Sequence, residues 1–363
     1  MGSNFEVIYF NLLKSALWET QPDITEILSE NDWNNIYSIS KEQTIQGIML
    51  DAVSKLPVSL RPPKNIVIQW VVLQKVIQKT NHNVNCVLTE LYTLLKKHDI
   101  RTFLMKGQGV GQNYPTPHHR LCGDIDFYFT EDQFGKAMDL FASLGCQIKD
   151  EQHSSHAETE YKGIPIELHK RSATFYTHRL QQKYNKTIEG IIGSNTETIT
   201  IDNTEIEILP PLANALQLLS HMLRHIITSG LGLRQICDWV LFMEKNFDKI
   251  NEEEFITEIK ELELEGTYKA ISAIATDYLG LPKDKIFGTI TDKDKQLAKK
   301  VLNVVMQYGN FGHYGEHDKT TSKWGYLQSY WWKVKNCYRF RKLAKSETRS
   351  YPIWQLHSIK DIL

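Results

Sequence analysis

The spacing of apolar residues separates helical from strand-like parts of the chain. Apolar positions recur three and four residues apart from Phe5 to Leu13 and again from Ile66 to Leu95. This is the period of amphipathic helices. Three prolines between positions 57 and 63 interrupt the pattern. We therefore predict a helical region over residues 1–99 that ends in a long helix from about residue 65 to residue 97.

The pattern changes after residue 100, where short apolar runs separated by turns predict strands. These runs are RTFLMKG, GDIDFYF, CQIKD, HAETEY and IPIELHK. Between the second and third, EDQFGKAMDLFASLG predicts a helix that ends at Gly145. Further on, TETITIDNTEIEIL alternates on both sides of Asp202 and Asn203, which predicts a hairpin. Residues 100–209 should therefore form an α/β core.

Helical periodicity returns in residues 210–310, where we predict a C-terminal helical domain of four or five elements. Residues 311–363 differ in character and form a basic, aromatic tail. The expected fold class is α+β, with a small mixed sheet flanked by N-terminal and C-terminal helical regions.

Composition narrows the class of protein. Hydrophobic residues make up 41% of the 363 residues, charged residues make up 23%, and the net charge is −1. These values are typical of a folded globular protein without a global field for nucleic acid or membranes. The five cysteines form no CxxC pair, and no apolar run reaches the eighteen residues that a membrane span requires. The N-terminal apolar stretch lacks a basic start, so a cytoplasmic protein without a signal peptide is expected.

Two aspartates in GDIDFYF are the first candidates for chemistry. Alternation along a strand places Asp124 and Asp126 on one face, about 6–7 Å apart. Two buried carboxylates need a compensating cation, and Mg²⁺ prefers such hard oxygen ligands. The alternative is a solvated strand edge, since DxD is common by chance.

The segment IPIELHK carries the third carboxylate. Glu167 and His169 share one face of its predicted strand, opposite the apolar residues. If this strand lies beside the first, Glu167 completes a triad able to hold two metal ions, as in nucleotidyl transfer. Otherwise Glu167 is an exposed strand residue. His169 is either a ligand or a hydrogen-bonded partner.

A glycine turn precedes the aspartates. Lys106, Gly107 and Gln108 follow the strand RTFLM and should begin a helix, whose free N–H groups can face an anion. Lys106 could then neutralise a phosphate. The alternative is an ordinary turn between a strand and a helix.

Taken together, LMKGQGVGQNYP, HRLCGDIDFYF and GIPIELH resemble the uncharacterised bacterial nucleotidyltransferase family of the polymerase-β-like nucleotidyltransferase superfamily. The resemblance is close from about Phe103 to Arg171 and looser through HMLRH and LGLRQICDW. It implies that Asp124 and Asp126 bind metal, that Glu167 takes the third carboxylate position, and that the KGQG turn faces a triphosphate.

Two departures from the superfamily pattern bear on these roles. Gln108 stands where a serine is usual, and the third carboxylate is Glu167 rather than the commoner aspartate. Arg120, four residues before Asp124, either orients a phosphate, pairs with one of the candidate carboxylates or forms an ordinary salt bridge. In the helical domain, five polar residues either contact the ligand or bridge helices. They are His221, Arg224, His225, Arg234 and Asp238.

The tail contains seven basic residues, seven aromatic residues and no acidic residue between positions 323 and 345. Such a segment suits nucleic acid, through base stacking and phosphate neutralisation. It also suits a membrane surface or partner protein. The remaining alternative is that the aromatic rings pack on the protein while the charges face water.

The sequence thus predicts a metal-dependent nucleotidyltransferase that uses Mg²⁺, with two ions expected, and a nucleoside triphosphate (NTP) such as ATP. The acceptor stays open between a small molecule, a protein side chain and an RNA end. One alternative is a nucleotide-binding or regulatory module without turnover, because Gln108 replaces serine. A glycosyltransferase that uses DxD is the third, although its DxD normally follows an extended nucleotide-binding α/β region.

Overall fold

In the computed structural model, which describes residues 3–150, 155–310 and 323–360, helices surround one six-stranded sheet. The helices are α1 (Ser3–Trp18), α2 (Glu30–Glu42), α3 (Gln46–Lys55), α4 (Lys64–Lys97), α5 (Gly107–Gly111), α6 (Glu131–Ser143), α7 (His178–Ser194), α8 (Pro211–Thr228), α9 (Leu233–Asn246), α10 (Glu252–Glu261), α11 (Glu265–Leu279), α12 (Asp292–Tyr308), α13 (Lys323–Arg339) and α14 (Lys345–Lys360). The strands are β1 (Phe103–Met105), β2 (Ile125–Tyr128), β3 (His156–Tyr161), β4 (Ile164–His169), β5 (Glu197–Ile201) and β6 (Thr204–Ile208).

The predicted α+β class is confirmed, and the helical N-terminal region has the predicted form. Helix α3 ends at Lys55, and α4 begins directly after Pro63 and continues to Lys97. The prolines between them cannot continue a helix, because they lack the amide donor and clash with the preceding turn. Helix α6 ends at Ser143 and is followed by Gly145 with a φ of +79°.

Four of the five predicted single strands and the predicted hairpin are present. In the hairpin, Asp202 and Asn203 have φ values of +44° and +65°, as a two-residue turn between twisted strands requires. The strand expected over residues 146–150 is wrong. In its place, Lys149 makes one isolated antiparallel bridge with Glu158 of the edge strand β3. Residues 151–154, which follow, lie outside the described chain.

The sheet has the strand order β3-β4-β2-β1-β6-β5 and mixes parallel and antiparallel pairs. One face buries Leu104, Phe127 and Leu168 in a core shared with α6 and the C-terminal half of α4. Because side chains alternate along a strand, Asp126 and Glu167 project from the other face. That face turns toward the C-terminal helices.

The helices that come before the sheet in the chain and those that come after it pack together in a second, larger core. The side chain of Gln43 donates to the carbonyl of Val305, and the indole of Trp18 donates to the carbonyl of Leu279. N-terminal and C-terminal helices therefore pack on each other, whereas the predicted boundaries at residues 99, 209 and 310 stay predictions. Within the described ranges, no helix combines the length and the apolar character that a bilayer span needs.

Candidate functional site

Strands β2 and β4 bring the predicted carboxylates together. They are adjacent and parallel, and the Cα of Asp126 lies opposite the Cα of Glu167. Directly opposite residues on neighbouring strands have side chains within contact range. Asp124 immediately precedes β2, at the same edge of the sheet. The hypothesis that Glu167 joins the aspartate pair depended on this pairing, and the register satisfies it.

Asp126 is held by two cationic or hydrogen-bonding side chains. Its Oδ1 lies 3.2 Å from Nζ of Lys106 and 2.8 Å from Nε2 of His169. The same Nε2 lies 2.9 Å from Oε2 of Glu167. Burial alone would raise the pKa of Asp126, but Lys106 and His169 outweigh it and lower the pKa. Asp126 is thus an ionised, oriented carboxylate although it is only 4% exposed.

Asp124 is in a different electrostatic position. Its pKa is raised by burial and by the negative charges of Asp126 and Glu167, against which Lys106 acts only in part. A divalent cation between these groups would remove the repulsion. All three groups are carboxylates, the hard oxygen donors that Mg²⁺ prefers, so Asp124, Asp126 and Glu167 are the residues that could hold such an ion.

The turn before α5 is strained where it approaches the carboxylates. Lys106 has a φ of +45°, a conformation that costs a non-glycine residue about 1–3 kcal/mol. A Cβ on Gly107 would lie 3.2 Å from Sγ of Cys122, so glycine keeps this approach open. The side chain of Gln108 is buried and donates from Nε2 to Asn81 at 3.1 Å. Lys106 and Gly107 thus line the cleft, whereas the side chain of Gln108 turns to α4.

Arg120 forms a buried salt bridge, which was one of its predicted roles. Its Nε and Nη2 each lie 2.7 Å from a carboxylate oxygen of Asp238 in α9. The hydroxyl of Tyr114 also donates to Asp238, at 2.8 Å. This arrangement fixes α9 against the segment that leads into β2.

Helices α8 and α9 supply the opposite wall of the cleft. His221 and His225 lie one turn apart in α8 with ring centroids 4.4 Å apart. Burial, together with nearby cations, lowers the pKa of His225 to about 3 and also lowers that of His221. Both histidines are therefore neutral at pH 7.

Arg234 at the start of α9 has spare hydrogen-bonding capacity. Its Nη1 donates to the carbonyl of Leu121 at 2.7 Å, whereas its buried Nε has no partner among the described residues. Burial and the nearby Arg120 lower its pKa. A buried guanidinium with an unpaired donor is stabilised by an anion.

The cleft between these walls has a volume of about 460 Å³, within the range of small-molecule sites. Helices α13 and α14 of the basic, aromatic tail close one side through Lys333, Tyr351 and Trp354. Tyr351 and Trp354 pack around Tyr176, at ring-centroid distances of 4.6 Å and 5.2 Å. Part of the tail therefore packs on the protein. Residues 311–322 of the predicted tail lie outside the described chain.

Sequence reasoning missed His156 and the aromatic group at the cleft. His156 lies opposite His169 in the β3–β4 hairpin. The sequence did contain a signal for this pairing. A two-residue turn at Lys162-Gly163 pairs Tyr161 with Ile164, and the same antiparallel register sets His156 opposite His169. For Tyr176, Tyr351 and Trp354 no local signal exists, because packing between distant helices brings them together.

Comparisons with known proteins point to one family. A solved structure of an antigenic nucleotidyltransferase-like protein from Paracoccidioides brasiliensis is 13% identical, with a TM-score of 0.33; the match covers 46% of this chain and 77% of that one. No curated protein matches the chain. The sequence profile of the uncharacterised nucleotidyltransferase family matches residues 29–280, which is more than half of the chain. The chain therefore belongs to the uncharacterised nucleotidyltransferase family.

Proposed function

We propose that the protein transfers a nucleoside monophosphate from an NTP to a hydroxyl or phosphate acceptor and releases pyrophosphate. The observation that carries this proposal is the register of β2 and β4, which sets Asp126 opposite Glu167 with Asp124 at the same edge. Membership of a nucleotidyltransferase family supports it, as does the resemblance of the motifs to the polymerase-β-like superfamily.

Asp124, Asp126 and Glu167 would hold Mg²⁺, and three carboxylates on adjacent strands could hold a second ion as well. A bound ion supplies positive charge against the triphosphate and lowers the pKa of an attacking hydroxyl. The chain itself orients the carboxylates: His169 fixes Asp126, and Lys106 neutralises it. These contacts hold the site in place before the substrate arrives.

Cations on several sides of the cleft suit a triphosphate. Lys106 lies beside the carboxylates, and Arg224 and Arg234 line the facing wall. The unpaired Nε of Arg234 is the donor we assign to a phosphate oxygen. At the side formed by α14, the half-exposed ring of Trp354 offers a surface on which a base can stack.

The test is transfer of label from each of the four NTPs, with Mg²⁺, to a cell extract. The wild type should label a macromolecule or metabolite and release pyrophosphate. Asp124→Asn/Asp126→Asn should lose both activities, whereas Asp139→Ala, on the exposed surface of α6, should keep them. Label transfer that survives in the double variant would refute the proposal.

A binding module without turnover is the second candidate, because Gln108 replaces the usual serine and its side chain faces Asn81. Magnesium-dependent NTP binding without pyrophosphate release, lost in the double variant, would favour this candidate.

The chemical class of the labelled product would name the acceptor. Labelled RNA would favour the predicted nucleic-acid contact over residues 323–345, where Trp331 and Tyr338 are 59% and 70% exposed.

A further inference from the structure

The β3–β4 hairpin carries a second group of metal-binding side chains beside the carboxylates. His156 lies directly opposite His169 on antiparallel strands, and Glu167 is two residues before His169 on the same face. One ring nitrogen of each histidine and one carboxylate oxygen of Glu167 all lie within 4.8 Å of one another. All three residues line the cleft, so a dissolved ion can reach them.

The spacing is close to what a tetrahedral ion requires. Zinc binds histidine nitrogen at about 2.0–2.1 Å, so two ligand atoms on one ion lie about 3.4 Å apart. The three atoms lie within 4.8 Å of one another, so each separation has to shorten by at most about 1.4 Å, which side-chain rotation can supply.

The donor types separate this group from the aspartate pair. Two imidazoles with one carboxylate select transition ions, whereas Mg²⁺ takes oxygen ligands. We propose that His156, Glu167 and His169 form a distinct site for a divalent transition cation of the zinc class, adjacent to the magnesium site and sharing Glu167 with it. This site goes beyond the proposed nucleotidyl transfer and does not require turnover.

The test is calorimetric titration of the full chain with Zn²⁺ in an excess of Mg²⁺. The titration uses a Cys86→Ser background, because Sγ of Cys86 lies 3.8 Å from Nε2 of His82 on the exposed face of α4 and could bind zinc by itself. We expect about one Zn²⁺ per chain. His156→Ala should lower the affinity by at least about tenfold, whereas His98→Ala, at the exposed end of α4, should leave it unchanged.

Two further measurements separate folding and catalysis from metal binding. Zn²⁺ should raise the melting temperature of the wild type but not of His156→Ala, whose melting temperature without metal reports its folding. Asp124→Asn should still bind Zn²⁺ even if label transfer is lost, so the two proposals can fail separately. Absence of Zn²⁺ binding above the Mg²⁺ background, or equal affinity in wild type and His156→Ala, would overturn the inference.

Discussion

The buried ion pair of Arg120 and Asp238 allows a quantitative prediction about the stability of the protein around the cleft. Their side chains are 6% and 5% exposed, and two 2.7 Å hydrogen bonds join them. Arg120→Met keeps most of the stem but leaves the Asp238 carboxylate buried, with the Tyr114 hydroxyl as its remaining side-chain hydrogen-bond donor among the described residues. Removing one member of such a pair costs about 3–5 kcal/mol of unfolding free energy, because an uncompensated charge stays buried.

Three companion variants test the origin of this loss. Tyr114→Phe removes one hydrogen bond to a charged group and should cost about 1.5–3 kcal/mol. Arg120→Lys keeps the charge without the two-pronged geometry and should lie between Arg120→Met and the wild type. The double variant Arg120→Met/Asp238→Leu removes both charges, so it should recover much of the stability lost by Arg120→Met alone.

Urea unfolding followed by circular dichroism measures these free energies. A loss below about 1 kcal/mol for Arg120→Met would refute the reasoning. So would a double variant less stable than the single one, since it would mean that the buried charge is not the cause. If Arg120 instead binds phosphate, Arg120→Met should weaken nucleotide binding by the remaining folded protein, with little change in the free energy of unfolding.

Three more measurements probe the cleft. Arg234→Ala should raise the KM for the NTP more than it lowers kcat, because its unpaired Nε is assigned to a phosphate; an unchanged KM would contradict that role. Glu347→Gln should cost about 1–3 kcal/mol in urea unfolding, because the Glu347 carboxylate accepts from the amides of Tyr176 and Thr177 and an amide offers one acceptor fewer. His225 has a pKa of about 3 in the folded protein. Between pH 3 and about 6.5 the unfolded chain therefore binds more protons than the folded protein, so the free energy of unfolding falls as the pH is lowered through this range. The unfolded imidazole is half protonated at about pH 6.5, so the slope from His225 approaches its full value of about 1.4 kcal/mol per pH unit only between about pH 5.5 and 4. His225→Gln should remove that part of the fall, and an unchanged slope would contradict the assignment.

The local sequence pattern was sufficient to predict the strand side of the cleft, where the carboxylates lie. The alternation in GDIDFYF and IPIELHK gave the shared face, and the structure pairs Asp126 with Glu167 as the hypothesis required. The facing wall could not be predicted, because it depends on packing between distant segments. Arg120 and Asp238 are 118 residues apart in the chain, and neither motif indicates the other as its partner.

The glycine turn shows a second limit. The motif places Lys106 and Gln108 near a phosphate, but it does not say which way each side chain points. Gln108 is buried against Asn81 of α4, because an amide in this position can satisfy the polar Asn81 side chain inside the core. Lys106 turns to Asp126 instead. A sequence pattern therefore predicts the backbone of such a turn better than the orientation of its side chains.

Asp124 and Asp126 are equivalent in sequence pattern but not in energy. Lys106 and His169 stabilise the charge on Asp126, so its lowered pKa adds stability above the pKa of the unfolded chain and that stability is lost as pH falls. Asp124 has a raised pKa, so its ionised form opposes folding once the pH rises above the unfolded value. Above that pH the ionised Asp124 destabilises the folded protein, and a bound divalent cation would remove this destabilisation. The asymmetry suits the proposed cation site, since Asp126 is already fixed in its ionised form and a bound ion would stabilise the ionised form of Asp124.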